Sequence, residues 1–366
     1  MRIIYPYNEI LPKRKAHDVF VFHECAALAT HGNCELTLLV GKGSNQDLFS
    51  HYHVPKNEHL HIHPLLIVRK NNPFGISWNL PFFFLCQRYI EREHPDVVIC
   101  SVRGQAAYHL QRKIPGVQYV YEVHELAYYP NGPPSAPAVQ TEWAMLAAAD
   151  LITVTTEALK QILKAPPYCL KNRIEVVPLA VLAEPLPPPV SAEILRLAYV
   201  GQLYTGQGLP NLLRALSKTK NVHLKVLGGI PHEILELQQL ARKLGLEGSI
   251  TFLGFTPPSE IPSKLQDVHA FVAPFENTGR MPFVAHTKLF EYAHWGRPII
   301  APDLPVVREH FPTGALFYEP GNPNDLAGCI RKLQNESTRA QLQKEISFYK
   351  DHFSWSNRAK NYVHFL

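Results

Sequence analysis

The residues best placed to do chemistry lie between Ala273 and Asp303, where the sequence reads APFENTGRMPFVAHTKLFEYAHWGRPIIAPD. The pattern is strand, loop, helix, turn, strand. Thr287 is placed to cap a helix over Lys288–His294, and Gly296 falls where a helix end favours a left-handed residue. A helix entered from a loop beyond a strand presents free N–H groups and the positive end of its dipole, which together form an anion site. Lys288 lies in the first turn, where a cation is unfavourable unless an anion is near. Glu291 lies one turn further on, and its carboxylate suits two adjacent hydroxyls such as those of a ribose. Taken alone, the stretch also reads as an ordinary surface unit.

Other loops after apolar runs carry matching chemistry. After LRLAYV come Gly201, Gln202, Leu203, Tyr204, Thr205, Gly206, Gln207 and Gly208. Three glycines there let backbone approach a phosphate closely, although the spacing is neither G-x-G-x-x-G nor a P-loop. Gly229 and Ile230 follow HLKVLG, and Gly254 and Phe255 end SITFLGF. Phe255 reads either as a platform for a flat base or as core. VYEVHEL places His124 and Glu125 at the end of a central strand, where an imidazole can bind or carry a proton near neutral pH. Arg103 stands just past DVVICS, and Lys15, Ala16 and His17 lead from the first strand into the first long helix.

The elements that must position these groups alternate. Short apolar runs and helical stretches follow one another through the chain, the signature of parallel α/β architecture. The 366 residues suggest two domains. The expected division is a Rossmann-like domain over 1–180, a Pro-rich linker over 181–192, a second such domain over 193–345 and terminal helices over 346–366. Two doubly wound domains facing each other across a cleft is the expected fold, with ligands at the strand carboxyl ends. Only 18% of residues are charged while 46% are hydrophobic, which argues against disorder. The net charge of +5 permits an acidic ligand or an anionic membrane surface without requiring either. Six cysteines without a C-x-x-C pair fit a reducing cytoplasm. No run reaches the roughly 18 apolar residues of a membrane span.

In this order and at these spacings the segments resemble the GT-B glycosyltransferases of family 4, in the subgroup with a KLFEY signature. YEVHEL resembles that family's acceptor-domain His segment, and AYVGQLYTGQGLPNLLRAL its phosphate segment. TKLFEYAHWGRPIIAPDLPVVRE resembles its nucleotide-binding part, and FSWSNRAKNY its terminal helix. The resemblance implies a retaining, nucleotide-sugar-dependent enzyme that needs no metal or other cofactor. Its partners would be a nucleotide-diphosphate sugar and a glycan, lipid-linked or small-molecule acceptor. Glu291 would hold the ribose, His124 would sit at the donor sugar, and the loop through His286 and Thr287 would meet the phosphates. Gly201, Gln202 and Gln207 complete the donor set, with Gly229, Ile230, Gly254 and Phe255 around the base. Lys15, His17 and Arg103 are acceptor-side candidates.

The sequence departs from that pattern at several positions. Phe283 occupies the place of the first Glu of the Glu-x7-Glu motif, and Gln202 and Gln207 replace the phosphate Arg and Lys. Charge-assisted hydrogen bonds are about twice as strong as neutral ones, so the replacements weaken the diphosphate site unless other cations serve. Arg280 and Lys288 are the candidates, and both join His124 in the expected catalytic set. The acceptor segment also carries Lys15-Ala16-His17 where many members have a Gly-Gly loop. A non-catalytic GT-B protein that binds a glycan or partner is the alternative, and a nucleotide-sugar epimerase a third reading. His59, His61 and His63 share a strand face without an evident fourth ligand, so no metal site is expected. The cationic and aromatic stretch 69–92 suits either a peripheral membrane contact or a packed helix. No basic run points to nucleic acid.

Overall fold

A computed structural model describes residues 1–13, 16–43, 46–67, 79–127, 137–182, 185–189 and 193–366. The chain forms two compact units, Met1–Pro178 with Trp355–Leu366, and Leu179–Ser354.

The first unit is built on β1 (Arg2–Pro6), β2 (Glu35–Gly41), β3 (Leu60–Leu65), β4 (Val97–Cys100), β5 (Gln118–Val123), β6 (Leu151–Val154) and β7 (Arg173–Val176). Their order is β3-β2-β1-β4-β5-β6-β7, and every pairing is parallel. Parallel neighbours require helical crossovers that cover both faces, hence strands that are apolar nearly throughout. Val97–Cys100 and Leu151–Val154 are buried at every position. Two helices share one core with the sheet. Ala16–Ala29 contributes Val21, Phe22 and Leu28, and Trp355–Phe365 contributes Ala359 and Tyr362. The last twelve residues thus belong to the unit that begins the chain.

The second unit repeats the plan with β8 (Leu195–Val200), β9 (Val222–Leu227), β10 (Ile250–Gly254), β11 (Ala270–Val272), β12 (Ile299–Pro302) and β13 (Ala315–Tyr318). The order is β10-β9-β8-β11-β12-β13, again all parallel. Leu209–Leu216, Pro231–Lys243 and Pro323–Leu333 cover one face through Leu212, Leu213, Leu237, Leu326 and Ile330. In the Pro-rich stretch Leu179, Ala180, Val181 and Leu186 are buried. The Val181 amide donates to the Phe353 carbonyl, and that of Leu186 to the Trp295 carbonyl. Arg297 adds a hydrogen bond to the Pro187 carbonyl. Among the described residues no helix is long and apolar enough to cross a membrane.

Chain order reverses between β1 and β4 in one sheet and between β8 and β11 in the other. Ligands of doubly wound sheets bind outside the carboxyl ends of the strands at such switch points. The loops after β8 and β11, and those after β1 and β4, therefore stand in the favoured places, with β5 next to β4.

Candidate functional site

In the second unit the glycine loop follows β8 and the Ala273–His286 loop follows β11, so both lie at the switch point. Their backbones touch. Gly208 has φ 73°, and a Cβ there would lie 1.7 Å from the Pro274 carbonyl oxygen. Gly228 packs as closely on Gly201, and its N–H donates to the Gly254 carbonyl at 2.7 Å. Only glycine permits these contacts, and they tie the loops after β8, β9, β10 and β11 into one surface.

The helix beside them runs from Thr287 to His294, with His286 at the N-cap and no side-chain cap. The expected Thr287 cap is therefore corrected: Thr287 is the first helical residue and its side chain is exposed. Leu289, Phe290, Tyr292 and Ala293 bury one face of the helix. The Tyr292 hydroxyl accepts from the Val200 N–H at 2.9 Å and donates to the Val200 carbonyl at 3.1 Å. This fixes the helix against the end of β8 and sets where Lys288 and Glu291 stand.

Lys288 reaches the glycine loop. Its Nζ donates to the Tyr199 hydroxyl at 2.8 Å and to Gln207 Oε1, and lies 4.3 Å from the Tyr199 ring centroid. Tyr199, wholly buried, donates in turn to the Gln202 carbonyl at 2.5 Å. Burial pushes the Lys288 ammonium down to about 7, opposed by Glu291. Burial pushes the Glu291 carboxyl up to about 7, opposed by Lys288. Burial thus disfavours charge on a cation whose hydrogen-bond acceptors are neutral. The site suits an anion that would restore full charge to the ammonium.

The other residues expected on the donor side lie on the neighbouring loops. Gln202 is exposed and uses its carbonyl, while Gln207 is buried and uses its amide oxygen. Arg280 lies on the exposed part of the loop after β11, and Phe283 is buried. The His286 ring stacks on Phe275 with centroids 3.7 Å apart, and its Nε2 donates to the Met281 carbonyl at 2.9 Å. Burial holds it down to about 4, so this imidazole is neutral and fixes the loop. Gly229 follows β9, and Ile230 caps the helix Pro231–Lys243 with its N–H donating to Glu233 Oε2 at 3.0 Å. Gly254 ends β10, and Phe255 beyond it is 78% exposed, which removes the core alternative for that side chain.

In the first unit His124 follows β5 directly, and the structure brings it to His17, whose ring lies 5.8 Å away edge-on. Phe20 packs edge-on to His124 at 4.7 Å. His124 Nε2 is 3.4 Å from Glu122 Oε1. Burial, then the neighbouring His124, holds His17 below the ordinary histidine value. Arg103 is exposed at the start of the helix Arg103–His109. Lys15 lies outside the described residues.

Two groups escaped the sequence reading. Tyr199 looked like one more apolar residue of a strand. Arg358 sits on the stripe Trp355, Arg358, Ala359, Tyr362, and an arginine at helical spacing among core residues was the available signal. The histidine-rich strand serves other contacts. His59 and His61 both hydrogen-bond Glu35, at 2.6 and 3.0 Å, and His63 packs on Tyr89. Among the described residues no group of three or more His, Cys, Asp or Glu is arranged to hold a metal ion. Of the stretch 69–92, residues 69–78 lie outside the described residues. The helix Leu80–Glu93 buries Phe82, Phe83, Cys86 and Ile90 and exposes Phe84.

Comparison with known proteins agrees with this architecture. Residues 18–184 match the family described as Glycosyltransferase Family 4. Residues 195–336 match the family described as Glycosyl transferases group 1. A search of the curated proteins finds no match. Among solved structures the chain resembles a glycosyltransferase from Rickettsia africae ESF-5, with 14% identity, TM-score 0.74 and coverage of 100% of this chain and 97% of that one. It also resembles sucrose-phosphate synthase from Thermosynechococcus elongatus, with 17% identity, TM-score 0.74 and coverage of 100% and 98%. Anabaena HepE in complex with UDP and glucose gives 15% identity, TM-score 0.72 and coverage of 100% and 99%. At such identities the likeness is one of fold, and that fold is GT-B. The two family matches, one in each unit, support a glycosyltransferase.

Proposed function

We propose that the chain is a retaining, metal-independent glycosyltransferase of the KLFEY type. It would move a sugar from a nucleotide-diphosphate sugar to a glycan, lipid-linked or small-molecule acceptor held by the first unit. One observation carries this reading: the Lys288 ammonium stands at the glycine loop, hydrogen-bonded to the Gln207 amide oxygen. Where the family resemblance expects a lysine on the loop, a lysine arrives from the neighbouring helix. The glutamine that reads as a lost cation becomes the group that holds the replacement.

In this reaction the bond between the sugar's anomeric carbon and the diphosphate oxygen breaks. The acceptor oxygen bonds that carbon on the same face, and its proton passes to the departing phosphate. Charge grows on the diphosphate as the bond breaks, so a preorganised cation in a dry pocket lowers the barrier. Lys288 fills that role, assisted by Arg280, Gln202 and the first-turn N–H groups at Thr287. Glu291 accepts from the ribose hydroxyls. Gly229, Ile230, Gly254 and Phe255 frame the base, and His124 contacts the donor sugar. Protein cations neutralise the diphosphate, so no metal enters the scheme.

The test is a thermal-shift screen against UDP, GDP, ADP, TDP and CMP, each with and without EDTA. UDP comes first because Anabaena HepE was solved with UDP and glucose bound. A ligand at a hundredfold excess over its dissociation constant stabilises the folded state by about 2.7 kcal/mol. A shift with one diphosphate that persists in EDTA supports the reading. No shift with any of them favours a binding protein that has lost donor chemistry.

A further inference from the structure

The most heavily charged buried cluster in the first unit lies beside His124. Arg358, on the C-terminal helix, donates through Nε to Glu24 Oε2 at 2.6 Å and through a terminal nitrogen to Glu122 Oε1. Its other terminal nitrogen donates to the Val177 and Pro178 carbonyls, both at 2.6 Å. Glu24, Glu122 and Arg358 are all almost fully buried. The second Glu122 oxygen accepts from the Tyr5 hydroxyl at 3.3 Å. His124 Nε2, itself buried and otherwise without a hydrogen-bond partner, lies 3.4 Å from the Glu122 oxygen that Arg358 also holds.

Glu24 and two backbone carbonyls take Nε and one terminal nitrogen of Arg358, and Glu122 takes the other, so Glu122 is part of the anchor. Glu122 even works against its neighbour. Burial, and after it the Glu122 charge, pushes the Glu24 carboxyl up to about 7 against the pull of Arg358. Glu122 itself is held down to about 2, because Arg358 and His124 outweigh its burial. The carboxylate that Arg358 holds also faces His124, a contact that anchoring the helix does not require.

We infer that Glu122 and Arg358 are positioning residues for His124: Arg358 clamps the Glu122 carboxylate, and the carboxylate turns the His124 ring so that Nε2–H points into the protein and the opposite ring edge is presented for binding. The inference rests on the proposed role of His124 at the donor sugar, and it gives the terminal helix a part in the site. The 3.4 Å separation needs only a small ring rotation to become a charge-assisted hydrogen bond, and such contacts are often long before substrate binds. Phe20 and His17 both pack edge-on with the ring, at 4.7 and 5.8 Å.

The test is histidine-detected ¹⁵N NMR on the full-length, ligand-free protein, with His124→Gln assigning the signal. The expected wild-type spectrum shows a protonated Nε2 on His124 that exchanges slowly with water. Glu122→Gln should speed that exchange by roughly tenfold or more as the charge-assisted bond is lost. Arg358→Lys, which keeps the charge without the two-armed grip, should move it in the same direction. Tyr362→Phe removes a buried contact to Thr153 from the same helix and should leave the signal unchanged. If Glu122→Gln does not fold, Glu122→Asp, which withdraws the carboxylate by one methylene, should give the same loosening. Unchanged exchange in the Glu122 variant, or equal acceleration in Tyr362→Phe, overturns the inference. The readout needs no substrate, so its failure is distinct from a negative nucleotide screen.

Discussion

Lys288 and Tyr199, 89 positions apart in sequence, meet through a hydrogen bond of 2.8 Å from the ammonium to the phenol oxygen. Tyr199 arrives on β8 and Lys288 on the helix after β11, so the contact joins the two strands that flank the switch point. It places a cation where the backbone of the glycine loop is open, and it supplies that cation with a neutral partner.

The first prediction concerns protons. Lys288 is pushed down to about 7 by burial, so part of its population is neutral at pH 7.5. A bound diphosphate favours the charged form, so binding takes up a fraction of a proton. Calorimetric titrations at pH 7.5 in HEPES and in Tris should give apparent enthalpies that differ in proportion to the buffers' ionisation enthalpies. Affinity should fall as pH rises above 7, by up to about tenfold per unit. Lys288→Met should abolish the proton uptake and the loss of affinity above pH 7, and weaken binding. Identical enthalpies in the two buffers would place the diphosphate away from Lys288.

Glu291 makes the opposite limb. Its carboxyl is pushed up to about 7 by burial, with Lys288 opposing, and only the ionised form accepts from two ribose hydroxyls at once. Nucleotide affinity should therefore rise toward pH 7 from the acid side, giving with Lys288 a bell centred near neutrality. The limbs belong to the coupled pair, and each variant removes one. Stability moves the other way. A carboxyl whose folded value exceeds its unfolded value binds more protons when folded, so this group's contribution is present at acid pH and lost as pH rises from about 4.5 to about 7. Glu291→Gln should leave stability at pH 8 unchanged or raise it by about 1 to 2 kcal/mol, while nucleotide affinity drops at least tenfold. Wild-type affinity in the variant would remove Glu291 from the ribose site.

Gly208→Ala tests the loop by geometry alone. The new Cβ would sit 1.7 Å from the Pro274 carbonyl oxygen, a backbone atom that cannot rotate away, and φ 73° disfavours any side chain. Backbone displacement and left-handed strain combine to a loss of roughly 3 kcal/mol or more, read as a fall in the denaturant midpoint of the second unit. Gly279→Ala, also at positive φ but with open space around it, should lose only about 1 kcal/mol. Equal losses would mean that the approach to Pro274 is not what demands glycine.

The parallel sheets were legible because strands buried on both faces read as short apolar runs, and the switch-point loops followed from chain order. Glu291 and Lys288 stand out because a helix entered after a strand places its first turns at the strand carboxyl ends, where doubly wound sheets bind ligands. Gln207 was read as a missing lysine because sequence shows which charge a position lacks and not which neighbour supplies it. The Tyr292 contact, which seats the helix on β8 and brings Lys288 to the loop, is not visible in any local pattern. Thr287 was assigned to the cap by residue type, yet the helix begins one residue earlier than expected. The bond between Arg358 and Glu122 spans 236 positions and depends on where the last helix docks, which no local pattern specifies.

That docking yields the last prediction. In Arg358→Met the apolar volume is largely kept, but Glu24 and Glu122 remain buried without their shared cation. Removing one partner of a buried ion cluster costs about 3 to 5 kcal/mol, so the variant should melt well below wild type at pH 8. The pH dependence of the Glu122 contribution should change sign. In the wild type Glu122 is held down to about 2 by Arg358 and His124 against its burial, so its stabilisation is present above its unfolded value near 4.5 and is lost as pH falls through about 2. Without Arg358 both carboxyls lie in a dry environment that favours the protonated form. Acidification from pH 8 to pH 5 should then recover part of the lost stability, and the same step should leave the Glu122 contribution in the wild type nearly untouched. The comparison is made by denaturant melts of both proteins at the two pH values. A deficit in Arg358→Met that is equal at pH 8 and pH 5 would show that the loss comes from packing around the side chain and not from the two unpaired carboxylates.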